Sequence, residues 1–433
     1  MKLLNIILFI GLIIVVPSCK KYFDGKNTDP DNPLNVPPDI MLPGIQATLA
    51  YSIGGDAARY TSIYTQHING DSRQWAVLHN YKFLGEDVNT LFEDNLYANV
   101  LVELNRLKKI ASEKKYHHYN GIAKTMEAYT LLFIADFWNS APYSEAFQGV
   151  NNLQPKYDSQ TELYATIFDL LTQAESDLNQ TDGGFSVPGS DDQFFAGDIP
   201  SWIGFVQFIR ARAYLHLAKS NPANYQLALN ALNAGGLIAN VEYAHNENHR
   251  NPMFQFNQER GDCSIGTNLS NLVTTLNDPR AALYVQPFTE ENTFITPERS
   301  VILASIVEQN FIKAECTFQI SGGAAAHQFF LDGINSSFAQ YGITGNAVSD
   351  YLAQNAVDPG AGGLTLAHII TQKYIALFMD PELFNDWRRT NLPTLTPNAG
   401  GKIPRRFPYP QQEINLNSNT PQTTIFSSVD WDI

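Results

Sequence analysis

The spacing of apolar residues along the chain predicts mainly α-helical structure. In the stretch Glu162–Asn179, apolar residues recur every three or four positions, which places them on one face of a helix. The same spacing occurs over Tyr119–Trp138 and Ser201–Lys219, and again over Ala223–Ala234, which ends at a pair of glycines of the kind that often terminates a helix. Alternation of apolar and polar residues, the pattern of a half-buried strand, is rare. We therefore expect a mainly α-helical fold.

The predicted helices are neighbours in the chain and are joined by loops rich in Gly, Pro, Asn and Asp. Consecutive amphipathic helices favour stacked helical hairpins of the tetratricopeptide type, in which each pair buries its apolar face on the next. The strict period of about 34 residues that would establish a solenoid is not present. Thr181–Pro200 and Asn240–Asp278 lack helical spacing, so we expect long functional loops there. Ser201 is expected to cap the helix that follows Pro200.

The first residues of the chain have the pattern of an export signal. Lys2 precedes an apolar run, Leu3–Val16, of about 14 residues, which suits the core of a signal peptide and is short of a membrane span. Ser18 and Cys19 follow, and a small residue before a cysteine is what a bacterial lipoprotein peptidase requires. We therefore expect a signal peptide at 1–18 and a lipid on Cys19. Pro17 is unusual at its position, and an ordinary secretory signal is the alternative.

Composition limits the remaining chain further. Residues 19–39 are rich in Pro, Asn and Asp, which predicts a flexible tether, and residues 40–433 form the predicted α-helical domain. The formal net charge of the full sequence, −15, argues against nucleic acid as a partner, because phosphates must be neutralised by Lys and Arg. An oxidising compartment would allow Cys263 and Cys316 to pair, but a buried thiol is the simpler expectation for Cys316, which lies in a helical run.

The stretch Tyr60–Tyr81 combines the kinds of side chain that bind sugars. Sugar rings stack their apolar CH faces on aromatic side chains, and charged or amide side chains bridge their hydroxyls. The stretch supplies both kinds of group, so we predict ligand binding by Tyr60, Tyr64, Asp71, Arg73, Trp75 and Tyr81. The alternative is that Tyr60, Tyr64 and Trp75 pack the N-terminal helices. A Trp75→Ala variant should weaken ligand binding with little loss of stability in the first case, and lose much stability in the second.

Other chemistry-bearing residues favour structural roles. The arginines of Asp386–Arg389 and of Arg405–Arg406 could bind an anion, but burial against carboxylates and carbonyls near the C-terminus is the favoured interpretation. His245 and His249 could share a helix face and bind a metal, but their Asn-rich surroundings indicate a solvated loop. The acidic pairs at 191–192 and 290–291 are interpreted as solvated loop residues. No catalytic residue, metal site or cofactor motif is predicted.

Several segments, taken in order, resemble the SusD/RagB-type nutrient-binding outer-membrane lipoproteins of Bacteroidetes. The resemblance runs from the signal peptide to about Asn419. The segments that carry it are Asn27–Pro33, Met41–Gly44, Ala135–Trp138, Ala141–Ala146, Leu276–Arg280, Phe311–Glu315, Gln372–Leu377, Asp386–Thr390 and Ile403–Pro410, followed by Glu413. Cys316, where the family usually has a small residue, and Asn139-Ser140, in place of a more usual Gly-Asp, depart from the pattern.

The resemblance implies both a fold and a function. The fold is a scaffold of tetratricopeptide-like helix pairs with an irregular, loop-rich lobe. The protein is expected to be a non-enzymatic, lipid-anchored binding protein on the outer face of the outer membrane. There it would pass oligosaccharides, or else peptides, unaltered to a SusC-like, TonB-dependent transporter. A secreted glycan-degrading enzyme and a purely structural helical adaptor are the alternatives from other classes.

Overall fold

The structure is a computed structural model that describes residues 36–182, 186–288 and 292–433. The predicted signal peptide, Cys19 and most of the predicted tether lie outside these residues. The first helix begins at Pro38, because proline suits the first turn, where its backbone nitrogen needs no hydrogen-bond partner. None of the helices within the described ranges has the length and apolar character needed to cross a membrane.

Helices dominate the described chain, as the apolar spacing predicts. The first third contains α1 (Pro38–Ser52), α2 (Ala58–Tyr64), α3 (Arg73–His79), α4 (Gly85–Asn89), α5 (Val102–Lys114) and α6 (His117–Trp138). The middle contains α7 (Gln160–Leu178), α8 (Ile199–Leu217), α9 (Ala223–Gly235), α10 (Pro252–Glu259), α11 (Thr267–Thr275) and α12 (Ala281–Tyr284). The last third contains α13 (Ile306–Ser321), α14 (Gly323–Gln340), α15 (Asn346–Leu352), α16 (Leu366–Ala376), α17 (Glu382–Thr390) and α18 (Gln411–Leu416).

Short strands and irregular helices connect these elements. Six strands form three antiparallel pairs in the described chain: β1 (Ile68–Gly70) with β5 (Cys263–Ile265), β2 (Ala141–Pro142) with β3 (Tyr157–Asp158), and β4 (Val241–Tyr243) with β6 (Val301–Ala304). A π-helical segment, Ile53–Ala57, joins α1 to α2, and another, Thr90–Leu101, leads into α5. A 3₁₀ turn covers Gly149–Asn151.

Consecutive long helices pack in pairs, α6 with α7, α8 with α9, and α13 with α14. Neighbouring pairs also touch, since α8 contacts α7 and α13 contacts α9. Each helix thus buries its apolar face on the next, which is how helical hairpins form a continuous core. The predicted mainly α-helical scaffold of helical hairpins is confirmed.

Helix starts follow local capping chemistry. At the start of α7, the Ser159 hydroxyl accepts a hydrogen bond from the Glu162 backbone N–H, and the Glu162 carboxylate accepts one from the Ser159 N–H at 2.7 Å. This reciprocal arrangement is a capping box. Helix α8 begins at Ile199, and its cap is Asp198, which accepts from the Ser201 N–H at 3.1 Å. The prediction of Ser201 as the cap was wrong, because Pro200 fits inside the first turn.

The stretch Asn240–Asp278 is not the long loop that the sequence suggested. It contains β4, α10, β5 and α11. These elements are short, and their stability depends on distant partners: in the β1–β5 pair, Ile68 lies opposite Ile265. Such long-range pairing leaves no periodicity in the local sequence, so the spacing of apolar residues could not reveal it.

The arginines near the C-terminus are structural, as favoured from the sequence. Arg388 is buried, and its Nη1 donates to the carbonyl oxygens of Asp136 and Arg405, each at 2.8 Å. The buried Arg389 guanidinium donates to both carboxylate oxygens of Glu315, at 2.7 and 3.0 Å. Charges buried in this way need such partners, since desolvation alone is costly. The C-terminal segment is therefore fixed to α6 and α13.

Cys263 and Cys316 are both free and both buried. Burial disfavours the charged thiolate, so it raises the pKa of Cys316 well above its ordinary value and that of Cys263 to about 12. Neither thiol is therefore reactive near neutral pH. The possible disulfide between them is not formed, and the expectation of a buried thiol at Cys316 is confirmed.

Candidate ligand-binding surface

The structure divides the predicted ligand-binding residues into two groups. The four aromatic residues are buried, with exposed fractions of 8% for Tyr60, 0% for Tyr64, 3% for Trp75 and 5% for Tyr81. The other two, Asp71 and Arg73, are exposed. The rings therefore present no free face on which a sugar could stack in this structure. Their positions support the alternative that they pack the N-terminal helices.

The buried rings form one aromatic cluster with Phe83 and Phe407. Tyr60 and Tyr64 lie one turn apart on α2, so both face the same neighbours. The Tyr60 ring lies 5.6 Å from the Trp75 ring, in a stacked arrangement, and 4.7 Å from the Phe83 ring. Burial raises the pKa of both tyrosines, and the Tyr60 hydroxyl donates to the Asp87 carbonyl at 2.8 Å. We call this buried cluster, which lies beneath the exposed residues Asp71 and Arg73, the aromatic floor.

Above this floor, the loop between β1 and α3 is held by a buried carboxylate. Asp262 has a side chain only 1% exposed, and its Oδ1 accepts from the Ser72 hydroxyl at 2.6 Å. The same oxygen lies 3.1 Å from Nη1 of Arg73. The Asp71 backbone N–H donates to the Asp262 carbonyl at 2.8 Å. One residue of the distant β5 region thus fixes the positions of both exposed predicted residues.

A second arginine extends this surface. The Arg260 Nη2 donates to Oε1 of Gln74 at 3.1 Å, and its Nε lies 3.4 Å from Oδ2 of Asp262. We call the exposed side chains of Asp71, Arg73, Gln74 and Arg260 the 71–74 surface. Burial acts to raise the pKa of Asp262, but the Ser72 hydrogen bond and the positive charges of both arginines outweigh it and hold the pKa below its ordinary value. Asp262 is therefore charged at neutral pH.

The backbone of the 71–74 surface has an unusual conformation. Arg73 has a φ of +51°, in the left-handed region that residues other than glycine seldom adopt. Such residues persist where the surroundings fix them, and they are concentrated at binding and catalytic sites. The pairing of Arg73 with Asp262 is one contact that fixes this conformation.

The loop that contains Asn398 borders the 71–74 surface. The Asn398 backbone N–H donates to the Tyr81 hydroxyl at 2.9 Å, and its Nδ2 lies 3.3 Å from Nδ1 of His79. Burial lowers the pKa of His79, so the ring is neutral at pH 7. On the other side lies the half-buried ring of Phe256, 4.9 Å from the Trp75 ring. Segments from three distant parts of the chain therefore meet here.

The local sequence does not mark Arg260, Asp262, Phe256 or Asn398 as members of this site. All four come from stretches without apolar periodicity. They join the site through the β1–β5 pair and through the packing of the 396–398 loop, where the Gln66 side-chain amide donates to the Thr396 carbonyl at 2.5 Å. The sequence gives no local signal for either contact.

The surface is suited to binding rather than to hydrolysis. Guanidinium, carboxylate and amide groups lie side by side, and together they can donate to and accept from the hydroxyls of a polar ligand. Hydrolysis of a glycoside requires a general acid with a raised pKa opposite a second carboxylate. Asp262 has a lowered pKa and is committed to two arginines, so it cannot serve as that acid.

The two histidines of the Asn-rich stretch lie in a turn. The His249 backbone N–H donates to the Asn246 carbonyl at 3.1 Å, and Nδ1 of His245 lies 2.9 Å from the His249 carbonyl oxygen. The histidines lie in a loop, as predicted, and do not share a helix face. The expectation of a solvated loop was wrong for His245, which is buried, whereas His249 is exposed. Within the described ranges, no group of three or more His, Cys, Asp or Glu side chains is placed to hold a metal ion.

The fold is a scaffold of helical hairpins that carries the exposed 71–74 surface. The sequence matches the family model SusD-like_2, described as "Starch-binding associating with outer membrane", over residues 30–296 and 289–410. This chain therefore belongs to the SusD-like family, a glycan-binding and non-enzymatic family whose name indicates association with the outer membrane. The family resemblance that the sequence motifs indicated is confirmed.

Solved structures show the same fold. A SusD/RagB family protein from Bacteroides thetaiotaomicron is 21% identical, with a TM-score of 0.76 over 89% of this chain and 95% of that one. A SusD homologue from Bacteroides uniformis is 20% identical, with a TM-score of 0.75 over 91% and 99%. A chitin-binding SusD homologue from Flavobacterium johnsoniae is 21% identical, with a TM-score of 0.72 over 91% and 97%. No curated protein matches the sequence.

Proposed function

We propose that this chain is a surface-exposed lipoprotein that captures oligosaccharides and delivers them to a SusC-like, TonB-dependent transporter. The observation that carries the proposal is the 71–74 surface, an exposed cluster of hydrogen-bonding groups held in place by the buried Asp262 on a SusD-like fold. The family description, which names starch binding, and the chitin-binding relative support an oligosaccharide as the ligand.

The proposed ligand contacts come from the exposed residues. Asp71 and Arg73 contact the ligand directly, and Gln74 and Arg260 extend the site with an amide and a second guanidinium. Tyr60, Tyr64, Trp75 and Tyr81 support this surface from below, because all four are buried. A peptide is the second candidate ligand, since the two exposed arginines could also pair with its carboxylates.

The proposed anchor is a lipid on Cys19, which would hold the protein on the outer leaflet and facing the exterior. The apolar run followed by Ser18 and Cys19, and the outer-membrane association of the family, support this location. Growth with a radioactive fatty acid should label the wild-type protein and leave a Cys19→Ala variant unlabelled. Unlabelled wild-type protein, or a labelled variant, would contradict the anchor.

Calorimetric titration of the purified protein with starch-derived and chitin-derived oligosaccharides, and with peptides, tests the ligand. We expect saturable binding of at least one oligosaccharide, with the sugar recovered intact by chromatography. Binding of peptides alone would favour the second candidate. Cleavage of the sugar that disappears when one carboxylate is replaced would show an enzyme instead.

A further inference from the structure

A second concave surface lies between the π-helical segment Thr90–Leu101, the loop after β2, and α18. This groove has a volume of about 340 Å³, and its lining includes Phe92, Glu93, Tyr97, Pro142, Phe147 and Glu413. Its lining thus combines aromatic, proline and small apolar residues with a few polar ones, and its acidic groups come from two separate elements. π-helical turns are rare and often occur at functional sites.

Exposed aliphatic side chains surround this groove. Val150 is 89% exposed, Leu153 74% and Leu416 69%, and Leu84 and Ile414 are exposed as well. Hydrogen bonds join the segments that carry them: the Ser418 hydroxyl donates to Gln154 at 2.8 Å, and Asn417 donates to the Pro155 carbonyl at 3.0 Å. Helix α18 also packs on α4, which begins directly after Leu84. Together we call the groove and these five aliphatic residues the groove face.

The concentration of apolar side chains is unusual for a surface. Single exposed aliphatic residues are normal, whereas several around one aromatic groove mark a site where another molecule packs. Val150, Leu153 and Leu416 are the most exposed large apolar residues in the described chain apart from the terminal Ile433. A small ligand would fill the groove but would leave these side chains in water. The occupant therefore has the size of a protein surface.

The charge of the groove indicates what the occupant carries. Glu93 and Glu413 are its charged lining residues, and no Lys, Arg or His of the described chain lines it. The Tyr157 hydroxyl donates to Glu413 at 2.8 Å, whereas one carboxylate oxygen of Glu93 is buried and has no hydrogen-bond partner among the described residues. Burial and the negative charge of Glu413 raise the pKa of Glu93 to about 7. A lysine or arginine from a partner would relieve this cost.

We propose that the groove face is the docking surface for the transporter, which inserts an aliphatic side chain beside a lysine or arginine. The identity of the partner rests on the proposed function. The new element is the surface of this chain that the partner contacts. An anionic membrane surface is disfavoured, because the groove is acidic. A second copy of this chain is disfavoured as well, since two chains with a net charge of −15 repel each other.

Crosslinking in cells of the source organism tests the surface. A photo-reactive amino acid at position 153 should crosslink to the TonB-dependent transporter, identified by mass spectrometry. The same amino acid at position 238 is the control, because Ile238 is also highly exposed, at 67%, but lies just after α9 and does not line the groove. Crosslinks from position 153 to another copy of this chain, to lipid, or to no protein would overturn the inference.

Co-purification separates this inference from the proposed function. We expect Leu153→Glu and Glu93→Gln each to reduce the recovered transporter at least tenfold, while Ile238→Glu leaves it unchanged. Oligosaccharide binding and the melting temperature should stay as in the wild type, because Leu153 and Glu93 lie outside the 71–74 surface. Full recovery with both groove variants would refute the docking surface alone. Recovery of no transporter with the wild type would refute delivery itself.

Discussion

The 71–74 surface and the aromatic core beneath it take neighbouring residues of one helix and place them in opposite environments. Arg73 and Trp75 lie two positions apart on α3, and a helix turns such neighbours in different directions. Arg73 therefore points to solvent, with 60% of its side chain exposed, whereas Trp75 enters the aromatic floor with 3% exposed. The difference shows that a run of aromatic and polar residues can be half core and half surface.

The same contrast applies to charges. Arg73 and Arg260 are exposed and have one buried partner, Asp262, so they can still reach a ligand. In the scaffold, both nitrogens of the buried His216 are already taken: Nδ1 lies 2.9 Å from Asp136 and Nε2 2.6 Å from Glu382. Buried charges such as that of His216 are therefore paired within the fold and are not available to a ligand. Substitutions in the two regions should therefore be distinguishable by stability and by binding.

The largest effect is expected from the aromatic floor. Trp75→Ala should lower the free energy of unfolding by about 3–5 kcal/mol, because it removes a large buried ring and leaves a cavity. Denaturant unfolding measures this loss. Val77→Ala is the control on the same helix, since Val77 is 45% exposed. A loss no larger than that of the control, together with weakened ligand binding, would restore Trp75 as a direct ligand contact.

Next in size is a pH effect at the buried histidine. Burial acts to lower the pKa of His216, but the carboxylates of Glu382 and Asp136 outweigh it and raise the pKa to about 9. Protonation therefore stabilises the fold fully below the ordinary pKa of about 6.5, and this contribution is lost as the pH rises towards 9. The difference in unfolding free energy between wild type and His216→Gln should shrink by roughly 3 kcal/mol over that interval.

Unfolding both proteins in urea at several pH values measures this difference, and the pH effects that both share cancel. A difference that stays constant, or that grows as the pH rises, would show that His216 is neutral in the folded protein.

Replacing the carboxylate that joins core and surface should have an intermediate effect. Asp262→Asn keeps the shape but removes the charge that holds Arg73 and Arg260, so we expect a loss of about 1–3 kcal/mol of stability and weaker ligand binding. Glu247→Gln is the control, because its carboxylate is 67% exposed and pairs with Arg250 at 3.4 Å. Unchanged ligand binding by Asp262→Asn would mean that the two arginines need no such support.

The smallest change in stability is expected at the surface itself. Arg73→Ala should alter the free energy of unfolding by less than about 0.5 kcal/mol, since the side chain is mostly exposed. It should nevertheless weaken oligosaccharide binding about tenfold through the loss of a charged hydrogen bond, measured by calorimetric titration. Arg106→Ala is a matched control, with a side chain 61% exposed and paired with Glu103 at 2.7 Å. Equal binding by the two variants would move the site away from the 71–74 surface.

The sequence by itself determined the features that depend on near neighbours in the chain. Apolar spacing predicted α6, α7, α8 and α9 to within about two residues, because helix periodicity is a local property. The arrangement of arginines near the C-terminus indicated burial, and the ordered motifs identified the family before any geometry was known. The prediction of the helix cap was wrong by three residues: the cap is Asp198 and not Ser201, because Pro200 lies inside the first turn.

Only the tertiary structure decided which residues of the 60–81 stretch are buried and which are exposed. Trp75 and Tyr60 are buried because Phe83, Phe256 and Phe407 cover them, and two of those rings come from distant parts of the chain. Asp262 reaches the surface through the pairing of β1 with β5, which joins residues about 195 positions apart. Burial and long-range pairing are properties of the folded whole, so no local pattern of residue types could have revealed them.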